Sequence, residues 1–325
     1  MELILNTFGT ALRVENGLFL VIHPDGKQPI DPTKLKSILV SKGASISSDA
    51  ALLAIENEID VMFVDGTGKP SGRLWGIKFG SVSTIRRKQL EFLYSSLAVN
   101  WVKNLIIHKI DNQIGMTLAL SPSEEKMEQM TQKAINKLTD YKTKISNASA
   151  PHLTDIAPGL RGWEGAASRV YFALLSQFLP DDFKFDKRSQ NPATDVFNCL
   201  LNYAYGMLYG KVEGALIKAG IDPYIGVYHR DDYNRPALAY DVIEVFRIWA
   251  DYVVFNLCRQ KVIDQDCYSI RDDGSYWLEN MGKRILIQSM NDYLDEIINI
   301  KGVERTRATH IDLYCSKLAQ IFLKS

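Results

Sequence analysis

The chain of 325 residues lacks an excess of either charge, since 38 Lys and Arg residues balance 38 Asp and Glu residues. This balance argues against a nonspecific polyanion binder with a basic tail, although a local basic groove can lie on a neutral protein. The first residues lack the basic start of a signal peptide. No apolar run approaches the ~18 residues of a membrane span. We therefore expect a cytoplasmic protein that does not act at a membrane.

Cysteine is also scarce, and its spacing excludes two kinds of site. The four cysteines form no C-x-x-C pair, which removes the common zinc and thioredoxin-type motifs. Their scattered positions fit a reducing compartment. They are Cys199, Cys258, Cys267 and Cys315.

The hydrophobic pattern changes period near residue 80. Before it, Asn16-Gly17 separates two short apolar runs, which is the strongest local signal of a β-hairpin. After it, apolar residues recur at helical spacing, and helices are expected over 238–257, 281–298 and 305–323. The sequence therefore predicts an α+β protein. A small β-rich N-terminal domain (residues 1–80) is followed by a larger all-α domain (residues 81–325).

Three segments of the second domain carry residues suited to catalysis. They contribute Glu164, His229, and the trio Asp241, Glu244 and Arg247. Each has an ordinary structural explanation when taken alone. Asp241 and Glu244 share one helix face and fit a solvated side, Glu164 fits the first turn of a helix, and a single His is more often structural. Together, two carboxylates and one imidazole form a set that can hold a divalent metal.

The same segments match a family in order and spacing. They read Glu164-Gly165-Ala166-Ala167, then Gly220-Ile221-Asp222-Pro223 with Gly226-x-x-His229, then Arg235-Pro236-Ala237-Leu238-Ala239 with Asp241-x-x-Glu244-x-x-Arg247. With Lys109-Ile110-x-Asn112-Gln113 upstream, they resemble the motifs of the CRISPR-associated spacer-acquisition integrase, the first-numbered Cas protein. The strand-first layout resembles that family as well.

The resemblance implies roles for individual residues. Glu164, His229 and Glu244 would be the ligands of Mg²⁺ or Mn²⁺, and a His ligand tilts the site towards manganese tolerance. Asp241 would be a nearby acid of the catalytic site, and Arg247 the basic residue beside it. The first domain would pair two copies of the chain into a homodimer.

The implied activity is a metal-dependent DNA integrase and endonuclease. It would insert short DNA duplexes, the prespacers, into a repeat array by attack of a 3′-hydroxyl on a phosphodiester. The implied partners are double-stranded DNA and a second CRISPR adaptation protein, a small ferredoxin-like subunit. Two alternatives stay open: a metal-dependent nuclease that cuts branched DNA intermediates in repair, and a catalytically silent DNA-binding scaffold.

Two basic clusters are candidates for contact with DNA. They are Arg86-Arg87-Lys88 and the group of Lys184, Lys187 and Arg188. Basic clusters of this size lie as often on an ordinary solvated surface as on a DNA interface.

Overall fold

The computed structural model describes residues 2–23, 26–35, 37–65, 70–74, 82–120, 124–190, 192–229 and 235–324. The described N-terminal part contains one α-helix and eight strands. They are β1 (Glu2–Leu5), β2 (Ala11–Glu15), β3 (Leu18–His23), β4 (Gly26–Ile30), β5 (Ser37–Ser41), β6 (Ser45–Ile46), α1 (Ser48–Glu56), β7 (Asp60–Val64) and β8 (Pro70–Leu74).

The expected hairpin at Asn16-Gly17 is confirmed. Strands β2 and β3 pair antiparallel on either side of it. Asn16 and Gly17 have φ of 52° and 74°. Positive φ at both central residues is what a tight two-residue hairpin turn requires, and Asn and Gly adopt it most readily.

The N-terminal strands form two four-stranded sheets. One has the order β1-β5-β7-β8, with β1, β5 and β7 parallel and β8 antiparallel to β7. The other has the order β4-β3-β2-β6. Helix α1 packs on β2 and β7 through Ala50 and Ala54, which are fully buried. These contacts give the strands a core of their own, which includes Leu12, Phe19 and Ile38.

The rest of the described chain is mainly helical, as expected. Its helices are α2 (Val82–Leu93), α3 (Ser96–Ala119), α4 (Glu125–Asn147), α5 (Leu153–Gln177), α6 (Val196–Lys218), α7 (Ala237–Val242), α8 (Arg247–Arg259), α9 (Asn280–Asp295) and α10 (Arg307–Lys324). Helix α6 is central, since it contacts α7, α8, α9 and α10. Gly220 follows it with φ of 77°, a left-handed conformation that turns the chain into the loop carrying His229.

The second region also contains two short hairpins that the sequence did not predict. Strands β9 (Tyr268–Ile270) and β10 (Tyr276–Leu278) form one, and β11 (Ile297–Ile300) and β12 (Val303–Thr306) form the other. The helix expected over 281–298 therefore ends at Asp295. Lys301 and Gly302 have φ of 53° and 84° and close the second hairpin, so this turn, not a helix end, follows Ile300.

The two regions have separate hydrophobic cores. The N-terminal core gathers residues from Leu5 to Val61 with Leu74 at its edge, and the helical core starts at Ile85. Residues 75–81 lie outside the described chain, so the exact boundary at 80/81 stays a prediction. Within the described residues, no helix combines the length and apolar character needed to span a membrane.

Candidate metal centre

Glu164 lies in the middle of α5, not in the first turn of a helix. The helix begins at Leu153 and runs through Pro158, although a proline removes one backbone hydrogen bond from a helix interior. The Glu164 side chain is 12% exposed. Its Oε1 lies 2.5 Å from Lys109 Nζ, and its Oε2 accepts a hydrogen bond of 3.0 Å from the Tyr228 hydroxyl. Tertiary partners, and not the helix dipole, therefore account for its position.

Glu244 lies in a short 3₁₀ turn, Ile243–Val245, between α7 and α8. The single helix expected over 238–257 is therefore wrong at this point. The side chain of Asn112 donates a 2.9 Å hydrogen bond to the Val245 carbonyl, which offsets the loss of regular helix bonding there. Glu244 is 4% exposed and thus buried, which excludes the solvated face that helix periodicity alone favoured.

One ammonium group joins the two glutamates. Lys109 Nζ lies 2.7 Å from Glu244 Oε2 as well as 2.5 Å from Glu164 Oε1. Burial alone would lower the pKa of Lys109, but the charges of Glu244 and Glu164 outweigh it and raise that pKa. Arg247 contributes a second cation, with its guanidinium 2.9 Å from Glu244 Oε1.

Asp241 is fully buried and organises the loop that carries His229. Its carboxylate accepts hydrogen bonds from the backbone N–H groups of Val227, Tyr228 and His229, at 2.7, 3.0 and 2.8 Å. It also lies 2.6 Å from His229 Nδ1. Because a carboxylate only accepts, Nδ1 is the donor, and the lone pair of the neutral ring is then on Nε2.

The electrostatic surroundings of His229 favour positive charge. Burial alone would lower the pKa of the imidazole, but its hydrogen bond to Asp241 and the charges of Asp241, Glu244 and Glu164 raise it. A cation near this ring is therefore favoured by three carboxylates at once.

The donor atoms of Glu164, Glu244 and His229 are of the types that bind a divalent metal, although they are too far apart in this structure to coordinate one ion together. Within the described residues, no three His, Cys, Asp or Glu side chains are close enough to hold an ion. Instead, the Lys109 ammonium lies between the two glutamates. Glu244 Oε2 is buried and accepts no hydrogen bond of good geometry from a described residue. Two carboxylates around a cation, with an imidazole nearby, are the donors that Mg²⁺ or Mn²⁺ would need.

A basic cavity of about 440 Å³ is lined by Glu244 and by Lys109, the lysine that joins Glu244 to Glu164. Its walls come from α3, α5, α6, α8, the 243–245 turn and the segment 186–190. Five cations face three acids there, which makes the cavity suited to an anion such as a phosphate. The charged wall residues are Lys109, Arg169, Asp186, Lys187, Arg188, Glu244, Arg247 and Asp251.

Arg247 is held rigidly at this wall. Its guanidinium lies 4.8 Å from the ring centre of Tyr205 and donates a 2.7 Å hydrogen bond to the Tyr209 hydroxyl. Arg188 is likewise fixed, with hydrogen bonds of 2.5 and 2.6 Å to Asn198 and Asn202. Both are therefore parts of the site's architecture, whatever they bind.

The two basic clusters differ in place. Lys187 and Arg188 line the cavity, whereas Lys184 is exposed and pairs with Asp181 at 2.7 Å. The other cluster lies on α2, where Arg87 and Lys88 both pair with Glu91. Pairing with an acid weakens the cluster on α2 as an electrostatic contact for DNA.

Sequence reasoning missed two participants in the site. Lys109 entered only as part of a motif, and Tyr228 had no assigned role. A signal for Lys109 was available, because it lies between Ile106 and Ile110 on a helix whose apolar residues are buried. A lysine in such surroundings needs an acidic partner.

The protein is of the α+β class, and its helical region places the buried carboxylates of Asp241 and Glu244 near the imidazole of His229. The model of the family "CRISPR associated protein Cas1" matches residues 3–292. The chain therefore belongs to the Cas1 family. CRISPR-associated endonuclease Cas1 1 of Archaeoglobus fulgidus is 31% identical over 316 residues, covering 93% of this chain and 90% of that protein.

Other comparisons agree with this assignment. A relative from Thermodesulfovibrio yellowstonii is 29% identical and covers 80% of each chain. A Cas1 protein from Thermotoga maritima has the same fold, with a TM-score of 0.73 over 99% of this chain and 97% of its own, at 19% identity. A casposase bound to its integration product gives a TM-score of 0.73 at 19% identity, over 99% and 95% of the two chains.

Proposed function

We propose that this chain is a divalent-metal-dependent DNA endonuclease and integrase of CRISPR adaptation, which inserts short duplexes into a repeat array. The observation that carries the proposal is a pair of glutamates from two separate elements, Glu164 and the buried Glu244, held around one lysine ammonium that lines a basic cavity. Membership of the Cas1 family supports it. So do the relatives named as endonucleases and the structural neighbour bound to an integration product.

The proposed ligands are Glu164, Glu244 and His229, the last through Nε2. When bound there, Mg²⁺ or Mn²⁺ would neutralise charge on the reacting phosphate and lower the pKa of the attacking hydroxyl. Asp241 is a positioning residue in this scheme. It fixes the tautomer and direction of the His229 ring, as carboxylates commonly do for ligating histidines.

The cations of the site would bind the phosphates of the DNA substrate. Arg247, one turn of chain from Glu244, is placed to hold a phosphate oxygen in the basic cavity. Arg188 and Arg169 extend positive charge along the same cavity. A DNA strand end would thus be held by its phosphates beside the two glutamates.

The reaction itself is an exchange of esters. A 3′-hydroxyl oxygen of the incoming duplex forms a bond to a backbone phosphorus of the repeat, and the bond from that phosphorus to another 3′-oxygen breaks. The attacking hydroxyl loses a proton and the leaving oxygen gains one. The number of phosphodiester bonds is unchanged, so no nucleotide cofactor is needed.

The proposed assembly is a homodimer that works with a second, small ferredoxin-like adaptation protein. Two copies would supply one site for each end of the inserted duplex. A neighbour from a partial Cas6-RT-Cas1–Cas2 complex supports a partner of this kind, with a TM-score of 0.76 at 22% identity over 100% of this chain and 96% of its own. Light scattering of the purified chain tests the dimer, and a monomer at micromolar concentration would contradict it.

The test of function is a strand-transfer assay on a repeat-containing plasmid with added Mn²⁺. We expect Glu164→Gln, Glu244→Gln and His229→Ala each to lower the joining rate more than about 100-fold, a larger loss than removal of an outer partner of a metal ligand. Glu128→Gln is the matched control, because Glu128 is exposed on α4. Circular dichroism shows whether each variant is folded.

Three results would change the proposal. If all three variants join DNA at the parent rate, these residues are not the metal site. Metal-dependent cleavage of branched DNA without any joining would favour the repair nuclease, which uses the same residues. Binding of DNA with no metal-dependent turnover of any substrate would favour a silent scaffold.

A further inference from the structure

Lys109 bridges the two glutamates of the proposed metal site, and the proposed chemistry gives it no part. Its side chain is 11% exposed, and its neighbours on α3, Ile106 and Ile110, are fully buried. Its ammonium reaches Glu164 on α5 and Glu244 on the 243–245 turn at once. This geometry is a built feature, because α3, α5 and the turn must all pack correctly to produce it.

The ammonium takes the space that a metal would need. An ion bound to Glu164 and Glu244 would approach the same oxygens to within about 2.0–2.6 Å. Lys109 Nζ already lies 2.5 and 2.7 Å from Glu164 Oε1 and Glu244 Oε2. A divalent ion and an ammonium cannot share this position, since they exclude and repel each other.

We propose that Lys109 is a built-in counter-cation that occupies the metal position in the metal-free protein and is displaced when the ion binds. The inference rests on the proposed metal site. It explains how two buried carboxylates can face each other without an ion, because burial of unpaired charge strongly destabilises a fold. It also makes the ion compete with an internal cation for its ligands.

Displacement of Lys109 has a route that leaves the glutamates paired. Lys109 lines the basic cavity, so its flexible four-carbon side chain can move its ammonium away from the glutamates into that space. Glu244 keeps Arg247 as a partner, and Glu164 keeps the Tyr228 hydroxyl. In the cavity, the released ammonium adds a positive charge where the proposed substrate phosphate lies.

The experiment compares Mn²⁺ binding by the parent protein and by Lys109→Met, using calorimetry and the electron paramagnetic resonance signal of unbound Mn²⁺. We expect the variant to bind Mn²⁺ about tenfold or more tightly, since no ammonium competes for the carboxylates. With chelator present, its unfolding temperature should fall below that of the parent. Lys142→Met is the matched control: it removes a lysine paired with Asp111 at the same distance of 2.5 Å, but at the surface. It should change neither quantity.

A second measurement uses the unaltered chain and guards against a variant that does not fold. The acetylation rate of Lys109, followed by mass spectrometry relative to that of Lys142, should rise several-fold when Mn²⁺ is added. Equal or weaker Mn²⁺ binding by Lys109→Met, or a Lys109 acetylation rate that ignores Mn²⁺, would overturn the inference. Loss of binding in Glu164→Gln would then still uphold the metal site. Unchanged binding in both Glu164→Gln and Glu244→Gln would remove the site and the inference together.

Discussion

Asp241 and Glu244 are three residues apart and both buried, yet they are bound in opposite ways. Asp241 accepts three backbone N–H groups and the ring of His229, all from the 227–229 loop. Glu244 is held by the charged ends of two side chains, Lys109 and Arg247. A buried acid with backbone donors is part of the architecture. One held by side-chain cations can exchange its partner, and that is what a ligand site requires.

Because Asp241 and Glu244 are bound differently, replacing each of them should lower stability by a different amount. This is the largest effect that we expect. Asp241→Ala should lower the free energy of unfolding by about 4 kcal/mol, since it leaves several buried donors without an acceptor. Glu244→Gln should lower it by only about 1 kcal/mol, because Lys109 keeps Glu164 and the amide oxygen still accepts from Arg247. Urea unfolding of both variants measures the contrast. Equal losses would show that the two acids play the same structural part.

A third buried acid, Asp251, extends the comparison to the pH dependence of folding stability. It accepts a 2.6 Å hydrogen bond from the Tyr205 hydroxyl, and burial raises its pKa from 3.8 to about 6. Its contribution to stability is therefore full below about pH 4 and is lost as pH rises through about 6. Asp251→Asn should gain roughly 3 kcal/mol relative to the parent between pH 4 and pH 7. Urea unfolding at both pH values measures this gain, and a constant difference between the two proteins would contradict the assignment.

Arg247 is the fixed side-chain partner of Glu244, in contrast to Lys109. Its planar group packs on Tyr205 and donates to Tyr209, contacts that an ammonium does not reproduce. Arg247→Lys should therefore lower the free energy of unfolding by about 2 kcal/mol, within the range for a partly broken buried pair. Arg247→Ala, which removes the charge, should weaken DNA binding and reduce its salt dependence. Arg259→Lys, at the exposed end of α8, is the control. A salt slope of Arg247→Ala identical to that of the parent would exclude Arg247 from the DNA interface.

The smallest effect concerns the 243–245 turn, which carries Glu244. Asn112 donates to the Val245 carbonyl, and its loss in Asn112→Ala should destabilise the protein by about 1 kcal/mol. The rate of strand transfer should fall as well, because the turn orients Glu244 towards the proposed metal site. An exposed asparagine on the following helix, Asn136→Ala, is the control. If Asn112→Ala is less stable but keeps the full rate of strand transfer, the hydrogen bond to the turn does not position Glu244 for the reaction.

Local signals predicted the features that depend on neighbouring residues. The Asn16-Gly17 hairpin and the change from strands to helices near residue 80 follow from turn chemistry and hydrophobic period. The hairpin at 301–302 was missed because Ile297 and Ile298 continue the helical pattern expected over 281–298. Positive φ at Lys301 has no strong local signal, since lysine is not a residue that prefers it.

The site depended on contacts between distant parts of the chain. Glu164, His229 and Glu244 were predicted from a family resemblance, and helix periodicity alone placed Glu244 on a solvated face. Lys109 is 55 residues from Glu164, and Asn112 is 133 residues from Val245. No local pattern encodes such pairs. Once the family is recognised, a lysine on a buried helix face becomes the signal that a carboxylate partner exists.

The central claim is that Glu164, Glu244 and His229 form one metal site. Crystals soaked in Mn²⁺ and measured near the manganese absorption edge test it most directly. We expect one anomalous peak bounded by these three side chains, with the Lys109 ammonium moved away from it. A peak elsewhere, or Glu164 and Glu244 still joined by Lys109 in fully loaded crystals, would contradict the account.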